Sequence, residues 1–230
     1  MKQLTLDVRP APNPTLDNFV AGSNAELVGT LRALSTATDH AAVFVWGTPG
    51  CGRSHLLQAT VGAAARDTGA QGSYLRAGDA SGILPCTEGT LLAIDDVEQL
   101  PAEAQIALFR AFNDARERRL RILISGSAPP LKLALREDLR TRLGSALVFE
   151  VKPLTDGEKV QALQHHASQR GMPLKPELIQ HLLHHGARDL PSLLAVLDAL
   201  DQVSLERKRP VTLPLLMEVM QRAGASAITR

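Results

Sequence analysis

Five short, nearly continuous apolar runs punctuate the chain: AAVFVW (41–46), SYLRA (73–77), TLLAIDDV (90–97), RILISG (121–126) and ALVFEV (146–151). Runs of this length without a 3.6-residue period read as strands. Longer segments with helical spacing separate them, and that alternation predicts a parallel five-stranded sheet flanked by crossover helices. Between the third and fourth runs, PAEAQIALFRAFNDARERR opens on a proline suited to a first helical turn and sets Leu108, Phe109, Phe112 and Ala115 on one face. The basic run Arg116 to Arg121 reads as the end of this helix, complementing its dipole.

After Pro153 the strand-like runs stop. Thr155 with Glu158 three residues later forms a capping-box signature for a helix that Gly171 would close. Pro176 to His185 repeats the pattern with Leu178, Ile179, Leu182 and Leu183 apolar and Gly186 as terminator. A helix through Leu193, Leu197 and Leu200 follows, and then one around Leu215 to Val219. The expected organisation is an N-terminal peptide and tether over 1–15, an α/β domain over 16–152, and a smaller all-helical domain over 153–230.

Composition narrows the class of function. The 230 residues carry 25 Lys plus Arg against 24 Asp plus Glu. That balance argues against a protein whose main affinity comes from neutralising many phosphates of a DNA duplex. Cys51 and Cys86 form no disulfide framework and no metal-ligand spacing, which suits a reducing, cytoplasmic setting. The N-terminus has no continuous apolar core of a signal peptide, and the run Ala41 to Trp46 is too short to cross a bilayer. Residues 9–15 (RPAPNPT) contain three prolines and read as an extended tether.

The chemistry concentrates after the first strand. GTPGCGRS (47–54) follows a buried run and precedes a helix, the context of a phosphate loop, with Arg53 where that pattern has lysine. Glycines let the backbone curl so that N–H groups face phosphate oxygens, and Ser54 offers a hydroxyl to Mg²⁺. A guanidinium is wider than an ammonium and grips with two prongs, so Arg53 need not bridge a triphosphate as lysine does. At the end of the third run, Asp95 can hold a metal's water shell and Asp96 can orient an attacking water. The same pair also suits a turn signal at a strand end.

Three further features stay open between two readings. Arg136, Arg140 and Arg142 are either a solvated basic helix face or the source of a cation for a neighbouring subunit's phosphate site. Gln3 to Val8 (QLTLDV) sets Leu4, Leu6 and Val8 in period two, which suits docking into another protein's groove or an edge strand of the chain's own sheet. His181 and His185 lie one helical turn apart but have no acidic or cysteine partner in sequence, and read as a solvated face. Trp46 and Tyr74 read as core or strand residues.

In order along the chain, TLDNFVAGSNAEL (15–27), GTPGCGRSHLLQA (47–59), LLAIDDVEQL (91–100), ISGSAPP (124–130), DLRTRL (138–143) and ARDLPSLL (187–194) resemble the AAA+ domain of the DnaA/Hda family of bacterial replication proteins. Two departures from the initiator DnaA point toward the family's regulatory branch. No segment matches its DNA-binding helix-turn-helix domain, and QLTLDV looks like a sliding-clamp binding motif.

The resemblance implies an AAA+ P-loop domain followed by a helical lid, binding ADP or ATP with Mg²⁺. Gly47, Pro49, Gly50, Cys51, Gly52, Arg53, Ser54 and His55 would line the phosphates, Leu16 and Val20 the adenine, and Arg188 would be the lid's sensor arginine. Ser54 and Asp95 would serve the metal. Arg142 matches the family's arginine finger, acting in trans on DnaA. Gln3, Leu4, Leu6 and Val8 would enter the groove of the DNA polymerase III sliding clamp (its beta subunit), which links the chain to DNA indirectly. The implied function is inactivation of ATP-bound DnaA, preventing re-initiation, with homo-oligomers also expected. The alternative is an autonomous AAA+ ATPase of helicase-loader type.

Overall fold

The computed structural model describes residues 13–187 and 189–227. They fall into two compact units, Asn13–Pro153 and the residues from Leu154 onward.

The first unit is built on five parallel strands: β1 (Ala41–Trp46), β2 (Gly72–Arg76), β3 (Leu91–Asp95), β4 (Arg121–Gly126) and β5 (Leu147–Glu150). Their spatial order is β2-β3-β4-β1-β5. Helices α1 (Ala25–Thr36), α2 (Arg53–Thr68), α3 (Ala102–Asp114) and α4 (Glu137–Gly144) cover the sheet. Every residue of β3 and β4 is buried. Successive side chains feed opposite cores, as a strand's period of two requires. Val43 and Val45 join Leu31, Leu56 and Leu57 on the α1/α2 face, whereas Phe44 joins Ile94, Leu108 and Leu139 on the α3/α4 face.

The edge strand β5 is largely exposed, Leu147 at 59% and Val148 at 40%, because it pairs with β1 alone. One place differs from the sequence reading: the basic run after α3 is not a helix end. Helix α3 stops at Asp114, Arg119 takes a left-handed conformation (φ 51°), and Arg121 begins β4, 2% exposed. Its guanidinium donates to the carbonyls of Ser35 (2.7 Å) and Leu34 (3.4 Å), and to Gly89 (3.0 Å). The cation therefore caps the C-terminus of α1, whose last carbonyls have no intrahelical partners. Burial lowers its pKa.

The second unit contains α5 (Asp156–Gln169), α6 (Pro176–His185), α7 (Leu190–Arg207) and α8 (Leu213–Ala227). Its core gathers Leu163, Leu178, Leu182, Leu197, Leu200 and Leu216. The capping box forms as expected: Thr155 Oγ1 accepts from the Glu158 N–H, and Glu158 Oε2 accepts from the Thr155 N–H at 2.7 Å. The predicted turn at Gly171 has φ 66°, and Pro176 occupies the first turn of α6. Among the described residues no helix is long and apolar enough to cross a membrane.

Candidate phosphate-binding site

The site grows from the carboxyl ends of β1, β3 and β4, where ligands of open parallel sheets bind. Residues 47–52 leave β1 and curl into the start of α2. Gly47 is required by close approach: a Cβ there would lie 2.7 Å from the Val151 carbonyl oxygen and 2.8 Å from Cys51 Sγ. Gly52 is required twice over, because its φ is +102° and a Cβ would come within 2.7 Å of the Phe19 ring. Gly50 also takes a positive φ, 80°. Helix α2 starts after Gly52 with no side chain capping its N-terminus. The first N–H groups of such a helix lack intrahelical acceptors, and an anion satisfies them and the dipole together.

The loop side chains have distinct surroundings. Thr48, Pro49, Gly50 and Ser54 are exposed, while Cys51 is buried, closes the loop's turn by donating its N–H to the Thr48 carbonyl (3.2 Å), and has its thiol pKa pushed up by burial. Arg53 is only 12% exposed. Its Nη2 lies 3.1 Å from Asp96 Oδ1, while Nη1 is buried and has no hydrogen-bond partner.

Asp95 and Asp96 differ sharply although they are neighbours. Asp95 is 3% exposed, and both its oxygens accept hydroxyl protons: Oδ2 from Tyr74 at 2.8 Å, and Oδ1 in a short bond from Ser125. Tyr74 stands on β2 and Ser125 on β4, so the strands on either side clamp the carboxylate between them. Asp96 leaves the strand in a left-handed conformation (φ 55°, ψ 56°) and its N–H donates to Ser125 Oγ at 2.9 Å. Burial raises the Asp96 pKa, the Asp95 charge adds to this, and Arg53 opposes it.

The segment before α1 packs beside the loop. Leu16 is 4% exposed and shares a core with Cys51, Leu56 and Val151, with Phe19 packed against it; Val20 is half-buried. His55 Nε2 donates to the Thr15 carbonyl (3.0 Å), and its ring centroid lies 5.5 Å from that of Phe19. Burial lowers the His55 pKa. Asn24 fixes the segment at its other end, exchanging two hydrogen bonds with the backbone of Lys152 at 2.8 and 2.9 Å. Tyr74, Ser125, Phe19 and Asn24 were absent from the sequence-derived site. Of these, only Ser125 left a signal, as a polar residue inside an otherwise apolar buried run.

The three arginines of the α4 region are not equivalent. Arg136 is held by Asp138 through Nε (3.1 Å) and Nη2 (2.8 Å), and Arg140 buries its Nε without a partner. Arg142, on the last turn of α4, is exposed, and its guanidinium carbon sits 6.0 Å from the centroid of the Phe109 ring. Among the described residues no hydrogen bond or ion pair joins Arg142 to the phosphate loop. The chain thus brings the loop, Asp95, Asp96, Leu16 and His55 into one site and leaves Arg142 outside it. Gln3, Leu4, Leu6, Val8 and Arg188 lie outside the described residues.

Comparison with known proteins adds the following. Residues 156–220 match the family model described as Hda, lid domain. Domain III of the replication initiation protein DnaA from Thermotoga maritima superposes with a TM-score of 0.73 at 19% identity, over 92% of this chain and 97% of that one. AMPPCP-bound DnaA from Aquifex aeolicus gives 0.67 at 22% identity, over 86% of this chain and 69% of that one. A RuvB variant from Thermotoga maritima gives 0.67 at 16% identity, over 93% and 72%. At these identities the structural likeness establishes the fold alone, a parallel five-stranded sheet with flanking helices followed by a helical domain. Over residues 156–220 the helical domain is similar to the Hda lid domain, and the described fold is similar to that of DnaA domain III.

Proposed function

We propose that this chain is a nucleotide-bound regulator of the replication initiator DnaA, acting from the DNA-loaded sliding clamp. The observation that carries the reading is the separation of two arginines. Arg53 lies in the chain's own phosphate loop with one arm tied to Asp96, whereas Arg142 is exposed and unpaired by any acid among the described residues.

The residues fit an adenine nucleotide. The loop presents uncapped helix N–H groups, a buried and unpartnered Arg53 nitrogen, and positions where glycine is required by geometry. Leu16 and Val20 would pack by the adenine, His55 holds that segment to α2, and Arg188 would serve as the sensor arginine. Among the described residues no three His, Cys, Asp or Glu side chains form a metal-holding group. Mg²⁺ would be held by nucleotide phosphates together with Ser54 and the water shell around Asp95. When bound, the metal supplies charge neutralisation at the phosphates. ADP is the favoured resting nucleotide in this reading, since Arg53 does not reproduce the lysine position.

Arg142 would act on a different molecule. Placed against the phosphates of ATP held by DnaA, its guanidinium supplies positive charge where negative charge develops as the γ-phosphate is transferred to water, an effect of about 10³ to 10⁵ in rate in phosphoryl-transfer systems. Gln3, Leu4, Leu6 and Val8 would hold the chain in the clamp's peptide groove, with residues 9–15 as tether, the α/β domain over 16–152 and the lid over 153–230. The setting is cytoplasmic, and homo-oligomers belong to the same reading. The outcome is DnaA in its ADP form and no second initiation.

The test is phosphate release from ATP-loaded DnaA. Fast release is expected when this chain, clamp and DNA are all present, and slow release when any one is omitted. Release independent of this chain would refute the proposal.

A further inference from the structure

We infer that Asp96 is a specificity-determining residue: an internal carboxylate that competes with the terminal phosphate of a triphosphate for the Arg53 guanidinium. This rests on the reading of residues 47–54 as a nucleotide site, and concerns a position otherwise expected to orient water.

A guanidinium is a fork with two donor arms, suited to gripping two acceptor oxygens at once. In this chain Nη2 is engaged by Asp96 Oδ1 at 3.1 Å, and Nη1 is buried without a partner. One arm is therefore committed to a carboxylate of the chain, and the other is enclosed by the protein. A diphosphate held by the loop N–H groups can leave the Arg53–Asp96 pair intact. A triphosphate brings a further, more highly charged group to the same cation, and must share it with Asp96 or displace it.

Asp96 is held against displacement. Its left-handed backbone is anchored by the N–H bond to Ser125 Oγ, and Ser125 is itself fully buried and donates to Asp95. Tyr74 fixes Asp95 from the opposite strand, so the pair of carboxylates is set by β2, β3 and β4 together. Asp96 lies at the mouth of this arrangement with its side chain 37% exposed, close enough to the loop to pair with Arg53 and so to repel an arriving anion. Replacing its carboxylate with an amide keeps shape and the tolerance of a left-handed backbone while removing the charge.

The experiment is calorimetric binding of ADP and of the non-hydrolysable analogue AMPPCP to the full chain at fixed Mg²⁺, for the parent, Asp96→Asn and Asp96→Gly. The parent should bind ADP more tightly than AMPPCP. Both variants should narrow that gap by roughly two- to fivefold, chiefly through tighter AMPPCP binding, the size of effect a partly exposed charge pair supports. Asp96→Gly retains the left-handed backbone without any polar group, so agreement between the two variants separates charge from folding. A gap that is unchanged or wider in a folded variant overturns the inference while nucleotide binding stands. Failure of the parent to bind either nucleotide removes the underlying site reading instead.

Discussion

The phosphate loop and the end of α4 each present an arginine, and their surroundings are opposite. Arg53 is nearly buried, follows a left-handed glycine, and is paired with a carboxylate that the neighbouring strands hold in place. Arg142 is exposed, beside an aromatic ring, at the end of a helix that packs on the other face of the sheet. A cation built into a cradle suits a ligand the chain keeps. A cation left on the surface, with no acid to neutralise it, suits a site completed only when another molecule arrives. Arg121 makes the contrast sharper, since it is 2% exposed and both its Nη atoms donate to backbone carbonyls. Arg121 is thus bound to the chain's own backbone, Arg53 to a carboxylate beside the phosphate loop, and Arg142 faces solvent.

Substitution at each place should separate these roles. The largest effect is expected for Arg142→Ala, on the order of 10³ in the stimulated hydrolysis of DnaA-bound ATP, with ADP affinity of the chain itself within about twofold of the parent. Loss of ADP binding in that variant would mean that the two regions are not independent. Next, Gly52→Ala forces a side chain into φ +102° and against the Phe19 ring, and should cost about 2 kcal/mol in thermal unfolding together with most of the nucleotide affinity. The smallest effect is expected for the matching change at the other region. Gly144 closes α4 two residues beyond Arg142, and a Cβ there meets nothing within 4 Å. Gly144→Ala should therefore stabilise the chain by about 0.5 kcal/mol or leave it unchanged, and calorimetric melting would show this directly.

Local pattern made much of the framework legible. The runs AAVFVW and RILISG coincide with β1 and β4, because buried parallel strands are continuous in apolar residues and end where glycine appears. The Thr155 and Glu158 pair marks the start of α5 through contacts that span three residues. The phosphate loop was visible because its glycines are demanded by backbone geometry at fixed spacing.

What escaped was set by strand order and register. Tyr74 meets Asp95 across two strands whose pairing, with Arg76 opposite Asp95, no local rule supplies. The exposure of Leu147 and Val148 follows from β5 lying at the edge, which an apolar run does not announce. Arg121 was misread because the helix whose carbonyls it caps, α1, lies far away in the chain. The Arg53–Asp96 pair likewise joins two motifs each of which was recognised alone.

The central claim is that the arginine doing the chemistry and the nucleotide undergoing it belong to different molecules. The most direct measurement is a single-turnover experiment in which γ-labelled ATP is loaded either on DnaA or on this chain before the two are mixed with clamp and DNA. Label on DnaA should be released rapidly, and only when Arg142 is present, while label on this chain is retained. Rapid release of label from this chain, with or without DnaA, would contradict the account.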